Sequence, residues 1–161
     1  MRLSKASDYA LVLLARLDAL PRDQWMSVRE IAGTIGVPNR FLSNIVHRLV
    51  QAGILNSHRG VKGGVQLAKT ANEITIGAVL EAMEDTMGLV DCVEHPGLCP
   101  LENHCDVQRF WSVTHSLVFA ALKHITLKDI TSYLKNSRPI ASPMVTGTLV
   151  KERNDVDSIK N

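Results

Sequence analysis

The chain is poor in aromatic residues: three Phe, two Trp and two Tyr among 161 positions. Its core is therefore expected to be aliphatic. No apolar run reaches the roughly 20 residues needed to span a bilayer. The opening, MRLSKASDYALVLLARL, has the basic-then-apolar order of a secretion signal. However, Asp8 and Arg16 bracket a very short run, and no small-residue cleavage site follows. A cytoplasmic protein without a membrane partner is expected. No GxxxxGK[ST] loop is present to cradle nucleotide phosphates. No Ser/His/Asp set or carboxylate pair gathers around a pocket signal, so an enzyme is the least supported class. His115 and His124 read as packing or surface residues of a long helix. Cysteine is absent except in one short stretch, which holds Cys92, Cys99 and Cys105.

Charge is unevenly placed. Residues 1–69 carry ten Lys/Arg and four Asp/Glu, and residues 70–161 carry eight and twelve, so +6 is joined to −4 within a net +2. A basic first half suggests that this half meets a polyanion.

Residues 4–19 suit a helix capped by Ser4, with Ala10, Leu13, Leu14 and Leu17 on one apolar face. Leu11 and Val12 form a second apolar face, and Asp8 falls between them at about 100° per residue. On its own, Asp8 also suits the first turn of a helix, where a carboxylate favours the dipole. In SVREIAGTIGVPNRFLSNIVHRLVQAGIL, Ser27 and Glu30 form a capping box and Gly36 ends the helix that they open. Pro38 is expected to open the next helix. There Phe41, Leu42, Ile45, Val46 and Leu49 share one face, while Arg40, Ser43, Asn44, His47 and Gln51 project from the other. Two short helices around a glycine turn, the second with a polar outer face, match a helix-turn-helix; an ordinary helix pair is the alternative. ILNSHRGVKGGVQLAK follows as strand, glycine-rich turn and strand. A hairpin in that place is a wing. Arg59 and Lys62 at its tip are candidates for the minor groove or phosphates, and Arg2 and Lys5 for phosphates. Arg40, Ser43, Asn44 and His47 are candidates for the major groove.

The expected fold is thus mainly α with a small β wing. A winged helix-turn-helix DNA-binding domain over residues 1–70 is followed by a cysteine loop and dimerisation helix over 71–135. ITIGAVLEAMEDTM suits a short helix. From Asp106 to Ile125 a long helix is expected, with Val107, Trp111, Thr114, Val118, Ala121 and Ile125 at alternating steps of four and three. This heptad seam suits either a second subunit or the chain's own core. TLKDITSYL gives a last helix, and residues 136–161 read as a disordered tail.

The cysteine spacing is C-x6-C-x5-C, in a stretch broken by Pro96, Gly97 and Pro100 and expected to be a loop. Three cysteines among polar neighbours in a cytosolic chain point to metal rather than disulfides. Zinc prefers paired C-x2-4-C ligands, which are absent, although His95 or His104 would complete a Cys₃His set. Wide intervals suit an iron–sulfur cluster. A ferredoxin-like carrier would need neither a wing nor a basic first half.

The chain resembles the winged-helix iron–sulfur transcriptional repressors of the IscR, NsrR and RirA type. The resemblance covers residues 1–135 and rests on MRLSKASDYAL, VPNRFLSNIVHRLVQAGIL, RGVKGGVQL, ITIGAVLEAME, the three cysteines and ITLKDI, in that order. It implies a homodimer on a palindromic operator, joined through the helix after the cysteines, and an iron–sulfur cluster as cofactor: most simply 4Fe–4S, with 2Fe–2S as the smaller form. One branch places a histidine three residues after the third cysteine, where this chain has Gln108. Another has a histidine one turn after an acid in the first helix, where this chain has Val12. The nitric-oxide-sensing NsrR branch is most similar, with an aspartate matching Asp8 reaching the cysteines of the other subunit. The resemblance therefore implies Cys92, Cys99, Cys105 and the partner's Asp8 as ligands and nitric oxide as effector. Iron or redox sensing within the same family, or a zinc- or thiol-based regulator, is the alternative.

Overall fold

The computed structural model describes residues 3–60 and 63–136. Their order is α1 (Lys5–Asp18), α2 (Val28–Ile35), α3 (Asn39–Gln51), β1 (Leu55–His58), β2 (Gly64–Leu67), α4 (Ile76–Met83), α5 (Asp91–Glu94), a 3₁₀ turn (Glu102–His104), α6 (Asp106–His124) and α7 (Leu127–Asn136). Arg2, Lys62 and the expected tail beyond Asn136 lie outside the described residues. None of the described helices is long and apolar enough to cross a membrane.

Local chemistry explains most boundaries. Ser4 caps α1 by accepting from the Ser7 N–H. Ser27 and Glu30 close a reciprocal capping box on α2, and these hydrogen bonds hold the Glu30 carboxyl below its usual value. Gly36 ends α2 at φ 80°, a left-handed geometry that glycine adopts without strain. Pro38 differs slightly from expectation. It is the N-cap, with extended ψ 135°, and its carbonyl accepts from Leu42 N, so Asn39 is the first helical residue.

Leu42, Ile45, Val46 and Leu49 of α3 are buried against Leu13, Leu14 and Leu17 of α1, while Phe41 meets Tyr9 edge-to-face at 5.6 Å. The wing strands pair antiparallel, with Leu55 opposite Leu67 and His58 opposite Gly64. The open edge of β2 is covered by Met26, whose backbone exchanges both hydrogen bonds with Val65. This approach requires Gly64, since a Cβ there would stand 2.4 Å from the Met26 carbonyl oxygen.

The same core continues into the second half through Ala71, Ile74, Val79, Met83 and Leu127. Ile76 N donates to Ile125 O and Leu127 N to Ile74 O, each at 2.8 Å, which pins the α6–α7 corner to the start of α4. Gly77 lets α6 approach closely: a Cβ would meet Lys123 Cγ at 2.8 Å. Thr131, buried on α7, donates to Asp18 at the end of α1.

Two sequence expectations need adjusting. The cysteine stretch is not wholly irregular, because Cys92 sits in the one-turn helix α5 before Pro96 and Gly97 end it. On α6, Trp111, Val118 and Ile125 of the heptad seam are half-buried, but no residue of the helix is fully buried. Its large exposed residues are Phe110 (61%), Val113 (55%) and Leu117 (67%), with Val107 beside them. The apolar surface is therefore broader than the seam and divided between an inner and an outer side.

Leu49→Ala should cost about 3 kcal/mol, because the site is fully buried between packed helices that cannot collapse onto the void. Urea denaturation should show a lower midpoint at unchanged slope.

Candidate nucleic-acid interface and cysteine loop

Burial of the inner side of α3 determines its outer side. Arg40, Ser43, Asn44 and His47 are all exposed, spaced so that they share one face over two turns. No ion pair among the described residues occupies Arg40. Ser43 donates its hydroxyl to the Asn39 carbonyl at 2.9 Å, which orients it and leaves its lone pairs outward. On the wing Arg59 is exposed next to Gly60, whose φ of 130° only glycine adopts readily. Gly63 closes the turn by donating to Gly60 O at 2.9 Å, and a Cβ there would collide with the His58 carbonyl. Lys5 is exposed at the start of α1. The structure adds Trp25, which lies against His58 with ring centroids 5.8 Å apart and so buttresses the wing from the α1–α2 connection. Nothing in the sequence marked that residue, because it lies outside any periodic segment.

The three cysteines are free and half-buried, in α5 (Cys92), in the turn after Gly97 (Cys99) and at the N-cap of α6 (Cys105). The turn is held by the Glu102 carboxylate, which accepts from the Gly97 N–H. Among the described residues no group of three or more His, Cys, Asp or Glu is placed to hold a metal ion. The chain by itself thus gathers the three thiols neither with one another nor with Asp8, His95 or His104. His95 and His104 are exposed, and Asp8 lies on the outer side of α1. The donor type nevertheless fits an iron–sulfur group: soft sulfur side chains, partly shielded and paired in no disulfide.

A third cluster joins these regions. Glu84, at the C-cap of α4, accepts from Ser4 N at 2.8 Å and from the Ser7 hydroxyl. Burial works to raise its carboxyl. The hydrogen bonds from Ser7 and Ser4 and the nearby Arg48 charge outweigh that, so it is held below the usual value. A depressed carboxylate stabilises the fold above its ordinary value, and this contribution is lost as pH falls through the lower folded value. Glu84→Gln should therefore lower stability at neutral pH and flatten the acid limb of a stability–pH profile below about pH 5. Parallel acid limbs for parent and variant would contradict this.

Comparison with known proteins places this arrangement. A family model, Rrf2, described as an iron-dependent transcriptional regulator, matches residues 3–133. The HTH-type transcriptional regulator NsrR of Halalkalibacterium halodurans is 34% identical over 134 residues, covering 81% of this chain and 90% of that protein. The HTH-type transcriptional repressor NsrR of Streptomyces coelicolor is 31% identical over 82% of this chain and 89% of its own. Among solved structures, CymR, the global cysteine regulator of B. subtilis, superposes with a TM-score of 0.68 at 26% identity, covering 83% of this chain and 98% of that one. IscR of T. potens shares the fold at a TM-score of 0.63 and 21% identity, over 91% of this chain and 94% of its own. The family match runs from the first described turn almost to the end of α7, so the chain belongs to the Rrf2 family of winged-helix transcriptional regulators, DNA-binding proteins rather than enzymes.

Proposed function

We propose that the protein is a homodimeric, cytoplasmic repressor whose operator affinity is switched by nitric oxide acting on an iron–sulfur group, most simply 4Fe–4S. The observation that carries the reading is three half-buried free thiols in one segment, which the described residues of a single chain do not gather into a metal-holding group. A second copy supplies what one chain lacks. Asp8 stands on the outer side of α1, next to Val12, which is 38% exposed, and α6 presents Phe110, Val113 and Leu117 to solvent. Burying these apolar faces against a partner would bring Asp8 of the partner subunit toward Cys92, Cys99 and Cys105. The similarity to NsrR-named regulators over four-fifths of the chain supports the nitric-oxide branch.

In this reading residues 1–70 bind DNA, residues 71–135 sense and dimerise, and the tail follows. Arg40, Ser43, Asn44 and His47 enter the major groove, where Arg and Asn offer paired hydrogen bonds to guanine and adenine edges. Arg59 and Lys62 reach the minor groove or its phosphates, and Arg2 and Lys5 the backbone. When bound, the iron–sulfur group would supply nitric-oxide-reactive chemistry, and a carboxylate such as Asp8 would be a weaker ligand than the thiolates such groups prefer. Asp8 would hold α1 of one subunit to the loop of the other. Loss of that tie would free α1 and let the two α3 helices change separation, and a twofold operator tolerates little error in half-site spacing. The likeness to CymR supports a second reading, in which the same fold answers to another signal, iron, redox or thiol state.

The deciding experiment is an anaerobic titration with nitric oxide, following visible absorbance and binding to a labelled duplex that the parent protein selects from a random-sequence pool. Brown protein that loses colour and duplex affinity together is expected; colourless protein would sink the cluster, and colour loss without a change in binding would sink the switch. Asp8→Ala should leave a bound but more labile cluster. Arg59→Ala should weaken duplex binding by about 1–3 kcal/mol at fixed salt, and unchanged affinity would remove the wing from the interface.

A further inference from the structure

The end of α4 is a junction that the functional reading above leaves unused. Arg48 projects from the edge of the outer face of α3. It donates from Nε to the Ala82 carbonyl at 2.9 Å and from Nη2 to Asp85 at 2.7 Å. Between those acceptors sits Glu84, bonded to Ser4 and to the hydroxyl of Ser7, the residue immediately before Asp8. From Asp85 the chain runs directly to Cys92. On the way Gly88 lies so close to α5 that a Cβ there would stand 2.4 Å from Glu94 Cβ. Residues 82–85 therefore touch the recognition helix through Arg48 and the Asp8-bearing turn through Ser7. They reach the cysteine segment through the Gly88–Glu94 contact.

We propose that Arg48 and Glu84 are positioning residues that couple the placement of the cysteine segment and of the Asp8 turn to the orientation of α3 on DNA. Arg48 suits this because its planar fork makes two bonds to acceptors three residues apart; a lysine keeps the charge but cannot span both. The Asp85 bond is exposed and contributes little by itself, whereas the part-buried bond to the Ala82 carbonyl sets direction. The sensory use of this coupling rests on the cysteine loop being the sensor, as proposed above. The mechanical link is a property of the chain with or without a bound group.

The test is a double-mutant cycle on full-length, cluster-free protein held in chelator, with affinity for the selected duplex read at fixed salt. Gly88→Val, which forces the segment off α5, should change duplex affinity about threefold or more in the parent and less than about 1.5-fold in Arg48→Lys. No change in the parent, or an equal change in both backgrounds, overturns the proposal. If Arg48→Lys does not fold, as judged by its melting transition, Glu84→Gln takes its place with the same two outcomes. Absence of a cluster from the parent would overturn the nitric-oxide reading and leave the coupling measured by this cycle intact. Failure of the cycle alongside an intact nitric-oxide response would overturn the junction alone.

Discussion

Leu42, Ile45, Val46 and Leu49 leave water by packing beneath α1, and the outward placement of the polar face of α3 and of Asp8 follows from that contact. With its inner side committed to the core, α3 has one orientation, and Arg40, Ser43, Asn44 and His47 are turned outward by helical geometry. The same burial holds α1 in place, so Asp8 points away from the core. The wing is added at the far edge by Val65, which is buried in this core and exchanges backbone bonds with Met26. An aliphatic core of this kind is stiff because it is densely packed, and a stiff core transmits small displacements instead of absorbing them.

The cysteine loop contrasts with this. It has short turns held by single hydrogen bonds, no fully buried residue among those described, and Leu98 and Leu101 exposed at 68% each. The core and the loop meet at the end of α4, where the Glu84 and Arg48 bonds are concentrated.

Much of this was legible in the residues. The capping serines and threonines, Gly36 and the period-two pattern of the wing are local signals, and they marked α1, α2, α4, α7 and the hairpin with small errors at their ends. Pro38 shifted by one position because a proline serves equally at the N-cap and at the first helical residue. The one-turn helix holding Cys92 was not legible, since four residues carry no period. Trp25, Gly64 and Gly77 were silent as well. Their importance lies in what approaches them from distant segments, and a sequence does not display that.

The sequence by itself determined the family, the outward face of α3, the basic wing and the confinement of all three cysteines to one segment, because each depends on the order and spacing of neighbouring residues. The tertiary structure decided which apolar faces remain uncovered, that the described residues of one chain do not gather the cysteines into a metal-holding group, that Glu84 binds the start of α1, and that Arg48 ties α3 to the end of α4. The Glu84 and Arg48 bonds join residues 80 and 34 positions apart, which only packing of distant segments establishes.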